Sequence, residues 1–337
     1  MNHEAIQLDR THNIVLTHYK QGVSKMTLSI VVPCYNEEKV LRAFYSETSL
    51  EIHKLTTDYE FVFVNDGSKD DTLNILRDLA SSDSSVHYIS FSRNFGKEAA
   101  MLAGLKYATG DAIVIMDADL QHPPTLIKEL LEGYNDGYDQ VIAKRTRTGD
   151  SPVRSFVSRL YYKVMNKFVD IELVDGIGDF RLLSRRAVDS LVSLSEYNRF
   201  SKGLFSWIGY NELIIEYENV LRSDGESKWT FSKLLNYGID GVISFNNKPL
   251  RLSIYLGLLT TIFGLLYVIT TFVQIILGGV EVPGYFTLIS AILFIGGIQL
   301  IFLGVIGEYI GRIYYETKRR PHFIVAEKKV SEVKQKA

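Results

Sequence analysis

The sequence predicts an α/β protein: a mostly parallel sheet covered by helices on both faces, then a two-helix membrane hairpin. Three observations predict it. Short aliphatic runs alternate with stretches of helical periodicity through the first 145 residues, the pattern of strand–helix units in a doubly covered sheet. Each aliphatic run stops at a polar turn rich in Asn, Asp, Gly or Pro, where such a chain must leave the sheet. Near the C-terminus two stretches, Leu252–Leu277 and Tyr285–Gly307, carry no charged residue. Each reaches the roughly 20 residues a helix needs to span a bilayer.

The units follow in order. "LSIVVPCYNEE" opens with a strand over Leu28–Val32 broken by Pro33, and Glu38–Leu55 carries Val40, Leu41, Phe44 and Leu50 near helical spacing. "YEFVFVNDGSKDDT" repeats the plan, with a strand over Glu60–Val64 and a helix over Asp71–Ala80 that sets Leu73, Leu76 and Leu79 on one side. "VHYISFSRNFGKEAAMLAGLKYATG" supplies a third strand and a helix over Lys97–Ala108, closed by Gly110. "DAIVIMDADLQHPP" is the fourth unit, in which Pro123 and Pro124 stop the chain and start the next helix. "DQVIAKR" gives a fifth strand.

In open sheets of this kind ligands bind beyond the carboxyl ends of the strands. The residues just past each strand therefore belong to one rim: Pro33, Tyr35, Asn36 and Glu37; Asn65, Asp66, Gly67 and Ser68; Ser92, Arg93, Asn94, Gly96 and Lys97; Asp117, Asp119 and Gln121; Lys144 and Arg145. Carboxylates, an aromatic ring, glycines and cations on one rim suit a base, a ribose, phosphates and a metal. Asp117 and Asp119, one residue apart at a strand end, are costly unless a cation compensates them. Mg²⁺ or Mn²⁺, held by one or two carboxylates with substrate phosphates completing the shell, would do so.

Composition narrows the class. The net charge of −2 excludes a global basic field for nucleic acid. The one cysteine, Cys34, excludes an intrachain disulfide and suits a reducing compartment. Met1–Lys25 is polar without an apolar core, so no secretory signal is expected there. Lys248 and Arg251 precede the first apolar stretch, Arg312, Lys318, Arg319 and Arg320 follow the second, and the connection holds only Glu281. Excess Lys and Arg stay cytoplasmic, so the hairpin ends, both termini and the catalytic part are expected on the cytosolic face of the cell membrane. Val153–Val169 and Trp229–Phe245 mix cations or polar residues with apolar ones and suit amphipathic helices in the headgroup plane, the alternative being packing against the catalytic domain.

"VVPCYNEE", "FVNDGSKDDT", "SRNFGKEAAMLAGL" and "DADLQHPP", with the later "GDFRLLSRRAVD", "GESKW" and the hairpin, resemble the family 2 glycosyltransferases of the Rossmann-like GT-A fold. Within these the chain is similar to the polyprenyl-phosphate glycosyltransferases, the bactoprenol glucosyltransferases and dolichol-phosphate mannose synthases, from Leu28 to about Pro321. The resemblance implies an N-terminal extension (residues 1–25), a GT-A domain (26–228), a juxtamembrane amphipathic helix (229–250), two spans (251–311, about 252–277 and 285–307) and a basic cytosolic tail (312–337).

The resemblance also implies roles. Nucleotide-sugar contacts fall to Pro33, Tyr35, Glu37, Asp66, Lys97, Asp117 and Ala118, with Asp66 toward the uracil. Asp117, Asp119 and Gln121 are the expected metal ligands for Mg²⁺ or Mn²⁺, and Asp179 matches the carboxylate usually assigned as catalytic base, with Asp175 next in line. Arg145, Arg181, Ser227 and Lys228 are expected at the acceptor phosphate. Transfer from a nucleotide sugar to a polyprenyl (undecaprenyl) phosphate, with inversion, is the implied reaction; UDP-glucose is the first donor, UDP-N-acetylglucosamine or GDP-mannose the alternatives. A processive polysaccharide synthase is the competing reading, but no Gln-x-x-Arg-Trp motif occurs and two spans are few. The membrane and both substrates are the expected partners, with homo-oligomerisation a further expectation.

Overall fold

The computed structural model describes residues 26–146, 174–218, 248–278 and 284–330. Residues 1–25, the segment Val153–Val169, Ser227 and Lys228, the segment Trp229–Phe245 and Glu281 lie outside the described residues.

The predicted units appear in the expected order: β1 (Leu28–Cys34), α1 (Leu41–His53), β2 (Tyr59–Asn65), α2 (Thr72–Ser82), β3 (Val86–Phe91), α3 (Lys97–Tyr107), β4 (Ala112–Ile115), a 3₁₀ turn (Pro124–Leu126) running into α4 (Ile127–Asn135), and β5 (Gln140–Arg145). Period-two alternation sorts their side chains into two cores. Leu28, Ile30 and Val32 of β1 and Phe61 and Phe63 of β2 face Phe44, Ile52, Leu76 and Leu130. Val31, Val62 and Val64 face the other layer, among Ala100, Met101, Ala103 and Leu105 of α3. Burial on both faces is why these strands read as continuous aliphatic runs. α3 lies so close to the sheet that a Cβ on Gly104 would collide with Val31.

Three further strands and two short helices complete the domain: β6 (Ile177–Ser184), α5 (Arg185–Ser193), α6 (Ser201–Trp207), β7 (Glu212–Tyr217) and β8 (Val325–Lys329). The sheet order is β7-β5-β6-β4-β1-β2-β3-β8. The β1–β2, β1–β4, β2–β3 and β5–β7 pairs are parallel. β6 runs antiparallel between β4 and β5, and β8 antiparallel along β3. From β1 the chain builds outward through β2 and β3, then returns to place β4 on the other side of β1. This reversal opens a crevice beyond the ends of β1 and β4.

Two long apolar helices follow, α7 (Lys248–Gly278) and α8 (Tyr285–Lys318). Each contains a segment long and apolar enough to cross a membrane, Ser253–Gly278 and Phe294–Lys318. Their large apolar side chains stand exposed, Leu265, Phe272, Leu300 and Ile301 among them, as lipid-facing residues must, and they mark the protein as membrane-associated. With 34 residues, α8 is roughly 50 Å long at 1.5 Å per residue, more than the ~30 Å hydrocarbon core. The surplus reaches the catalytic domain. The Tyr197 amide donates to Glu316 at 2.7 Å, and the Tyr197 ring stacks on Tyr315 and His322.

The segment expected to be a basic tail thus carries the last strand of the sheet. The Ser92 amide donates to the Ile324 carbonyl, Phe323 stacks on Phe91, and Glu327 accepts from Arg77 and Tyr88. Arg77, then Tyr88, hold the Glu327 carboxyl down at about 2. A lowered carboxyl holds the strand at neutral pH and releases it only as pH falls toward that value. In Glu327→Ala, amide exchange over residues 325–329 is expected to be roughly three- to tenfold faster, because an edge strand loses a side-chain anchor. Unchanged protection there would show that backbone pairing alone holds β8.

Candidate active site

The strand ends converge as expected, because the turns after β1 and β2 are laced together. The Asn36 amide donates to Ser68 Oγ (2.9 Å), the Lys69 amide to Asn36 Oδ1 (2.9 Å), the Glu37 amide to Thr72 Oγ1 (2.9 Å) and the Asp71 amide to Glu38 Oε2 (3.0 Å). Asn36 and Leu120 hold left-handed backbone at φ 57°, a conformation costing about 1 kcal/mol or more for a non-glycine residue and concentrated at functional sites. Leu120 sits between Asp119 and Gln121. β4 ends at Ile115, and the left-handed turn at Leu120 follows both acids, which stand past the strand end at the rim.

A cavity of about 410 Å³ opens at this rim, lined by Pro33, Cys34, Tyr35, Glu37, Asp66, Asn94, Gly96, Lys97, Ala100, Asp117, Ala118 and Asp119. All seven residues expected at the nucleotide sugar are in that lining, as are two of the three expected metal ligands. Gln121, Arg145, Arg181 and Asp179 are outside it. The Gln121 amide donates to Asp119 Oδ1 at 3.2 Å.

Asp66 is 3% exposed and accepts from the amides of Phe95 (2.6 Å) and Gly96 (2.9 Å). Burial raises its carboxyl, and those two bonds work against the rise. Asp66 thereby fixes the loop that carries Lys97. Lys97 Nζ lies 2.7 Å from Asp117 Oδ1, 2.9 Å from Asp117 Oδ2 and 2.6 Å from Asp179 Oδ2. Burial works against this ammonium, yet Asp179 and Asp117 hold it above its ordinary range. Burial likewise opposes the Asp117 charge, but His122 and Lys97 hold that carboxyl far below the usual range. His122 Nε2 is 3.8 Å from Asp117, at ion-pair rather than hydrogen-bond distance. Its Nδ1 meets the Tyr217 hydroxyl at 2.9 Å and its ring stacks on Phe180.

Asp179 arrives by a route the sequence does not display. It lies near the start of β6, antiparallel to β4, with Ile115 opposite Arg181. Two residues beyond that pair, the two chains bring Asp117 and Asp179 to one lysine. Arg181, two residues along the strand, is 2% exposed, with its guanidinium 3.8 Å from the Phe205 ring centroid and donating to the Gly178 carbonyl. Burial pushes it down to about 10. It stands behind Asp179 rather than in the cavity lining. Arg145 pairs through its backbone amide with the Gly176 carbonyl.

Sequence reasoning missed three groups. His122 stood in the quoted "DADLQHPP" without a role. Glu98 follows Lys97 directly, and it accepts from the Ser201 amide and hydroxyl, fastening α6 to α3. Lys202, beside it on α6, is pushed down by burial while Asp179 opposes the shift. Only the spatial neighbours of α6 identify the last two.

Two acids at a cavity edge fit a divalent ion. Among the described residues no group of three or more His, Cys, Asp or Glu could hold a metal. Two hard oxygen donors leave a shell for phosphate oxygens and water to complete, the usual mode for Mg²⁺.

The family model described as glycosyl transferase family 2 matches residues 29–192, and that described as GtrB C-terminal hairpin matches residues 248–313. The chain is 58% identical, over 91% of its length and 92% of the relative's, to CsbB of Bacillus subtilis strain 168, which is named as a glycosyltransferase. It is 43% identical to the prophage bactoprenol glucosyl transferase homolog of Escherichia coli K12, covering 89% of this chain and 98% of that one. It is also 43% identical to the bactoprenol glucosyl transferase of Shigella phage SfX, covering 90% and 100%.

Proposed function

From the premise that this chain belongs to glycosyl transferase family 2, in the bactoprenol glucosyl transferase group with its C-terminal hairpin, we propose that it moves glucose from UDP-glucose to undecaprenyl phosphate at the cytosolic membrane face. The enzyme is a nucleotide-sugar-dependent glycosyltransferase acting at a membrane interface. The observation that carries the finer reading is the joining of Asp117 and Asp179 through Lys97 at the mouth of the cavity.

Tyr35 and Pro33 bound the nucleoside end of the cavity, and the free lone pairs of Asp66 accept from the uracil N–H. Asp117 and Asp119 would hold a divalent ion, which supplies charge neutralisation as the diphosphate departs. An acceptor phosphate oxygen attacks the anomeric carbon, the bond to the β-phosphate oxygen breaks, its electron pair leaves with UDP, and the configuration inverts. A phosphate monoester with a second pKa near 6 is largely dianionic at pH 7 and needs no proton removed. Asp179, already paired to an ammonium, serves here by orienting groups and stabilising positive charge at the anomeric carbon. Arg145, with Ser227 and Lys228, is assigned to the acceptor phosphate, and Arg181 to holding the strand of Asp179.

Purified enzyme in detergent, given C55 polyprenyl phosphate and a panel of nucleotide sugars, should yield a hexose-bearing lipid by mass with UDP-glucose. Activity should be lost in EDTA and in Asp119→Ala. Absence of glycolipid with every donor overturns the acceptor; full turnover in EDTA overturns the metal; product only from another nucleotide sugar replaces glucose.

A further inference from the structure

Lys97 uses one ammonium to contact both oxygens of Asp117 and one of Asp179, at 2.7, 2.9 and 2.6 Å. An ammonium has three donors and no acceptor; the two Asp117 oxygens lie too close together to take more than one of them, and Asp179 takes a second. Nζ lies 2.7 and 2.9 Å from the two Asp117 oxygens, so a divalent ion that binds that carboxylate must compete with Nζ for it. Two cations on one carboxylate would repel each other strongly at such separation. Lys97 itself lines the cavity, and its flexible stem lets Nζ swing without moving the backbone. That backbone is held independently, since the amide of Gly96, the preceding residue, is bound by Asp66.

Resting on the donor and metal reading above, we infer that Lys97 is an exchangeable counter-ion: it neutralises Asp117 and Asp179, transfers to a nucleotide diphosphate when one binds, and so frees Asp117 for the metal. The donor carries the negative charge that both cations need, so nucleotide and metal bind as a linked pair. Each strengthens the other by one common factor, as linkage requires. Without nucleotide, the metal must compete with Lys97. Without metal, the nucleotide still gains Lys97 as a phosphate contact. The device keeps two acids 2.6–2.9 Å from a cation, where unpaired they would repel each other.

Mn²⁺ binding measured by electron paramagnetic resonance, with and without UDP, tests this in the full-length protein. Wild-type enzyme should bind Mn²⁺ weakly alone and at least tenfold more tightly with UDP. Lys97→Met keeps the length of the side chain and removes its charge. It should bind Mn²⁺ alone at least tenfold more tightly than wild type, lose most of the UDP enhancement, and bind UDP alone more weakly. Lys97→Gln, whose amide still bonds to carboxylates, should behave the same way and stands in if the methionine variant does not fold. Lys97→Arg keeps the charge and should resemble wild type. Wild-type Mn²⁺ affinity and wild-type coupling in the Met or Gln variant overturn the counter-ion role alone. Absence of Mn²⁺ binding in every variant with UDP bound overturns the metal reading and this inference together, while UDP binding itself would still support the donor site.

Discussion

Asp179→Asn should slow sugar transfer by on the order of 10²–10⁴, the usual cost of losing a preorganised charged group beside the reacting atoms. Asn keeps the size and one acceptor oxygen and removes the negative charge. The side chain of Asp179 is 17% exposed and lies 2.6 Å from Lys97, so water cannot readily replace it. Judged from sequence alone, nucleotide binding should be untouched, because Asp179 comes from a later part of the chain than Asp66, Asp117 and Asp119. The structure tempers that expectation. Asp179 shares Lys97 with Asp117, so the substitution leaves the ammonium to Asp117 alone. A few-fold change in UDP affinity should therefore accompany the much larger loss of rate. Calorimetric titration of UDP beside a single-turnover assay separates the two. Wild-type transfer would make Asp179 a structural acid and send the search to Asp175, four residues earlier.

Gly67→Ala is the second substitution with a large expected effect, and it acts through the backbone. Gly67 has φ +63°, and a Cβ there would fall onto the carbonyl carbon of Arg93 and the amide nitrogen of Asn94. Neither can yield as a side-chain tip would. Left-handed strain costs about 1–3 kcal/mol and overpacking a similar amount. Melting should therefore drop by roughly 4–24 °C at about 2–4 °C per kcal/mol. Asp66 immediately precedes Gly67 and ties down Phe95 and Gly96, so UDP binding should fall with stability. Thermal unfolding in detergent with and without UDP reads both. A wild-type midpoint with a wild-type UDP shift would mean the two loops separate at little cost.

The C-terminal strand bears on how a soluble site works on a lipid. Past its apolar segment α8 accepts from Tyr197 through Glu316, and the chain after it meets Phe91 through Phe323 and Arg77 through Glu327. The catalytic sheet is thereby fastened to a long apolar helix through residues 316–327. A fastened sheet holds its rim at a set position relative to the helix, which suits an enzyme acting at a membrane interface.

By itself the sequence determined the first five strands, the helices between them, the two apolar helices and most of the rim. Those signals are local. Strand and helix periodicity, turn residues and uncharged length are each written within about 10–25 consecutive residues. The residues assigned to the nucleotide sugar were named from the family resemblance, and all but Ala118 also follow a legible strand; the sheet's reversal at β1 and β4 gathers such ends together. Only the tertiary structure decided that "GDFRLL" is a strand lying antiparallel between β4 and β5, and that the basic tail returns as β8 on β3. It also decided that Lys97 joins Asp117 to Asp179. Pairing partner and register depend on chain segments far apart in sequence. In β6, Ile177–Asp179 are half-buried and only Phe180–Ser184 are buried, so its first half offers no aliphatic run to read. In β8, exposed Lys328 and Lys329 mask an edge strand, as charged edges generally do. A lysine at the start of a helix carries no mark of which carboxylates its flexible stem will reach; the antiparallel register of Ile115 with Arg181 sets that, by bringing Asp117 and Asp179 to the same ammonium.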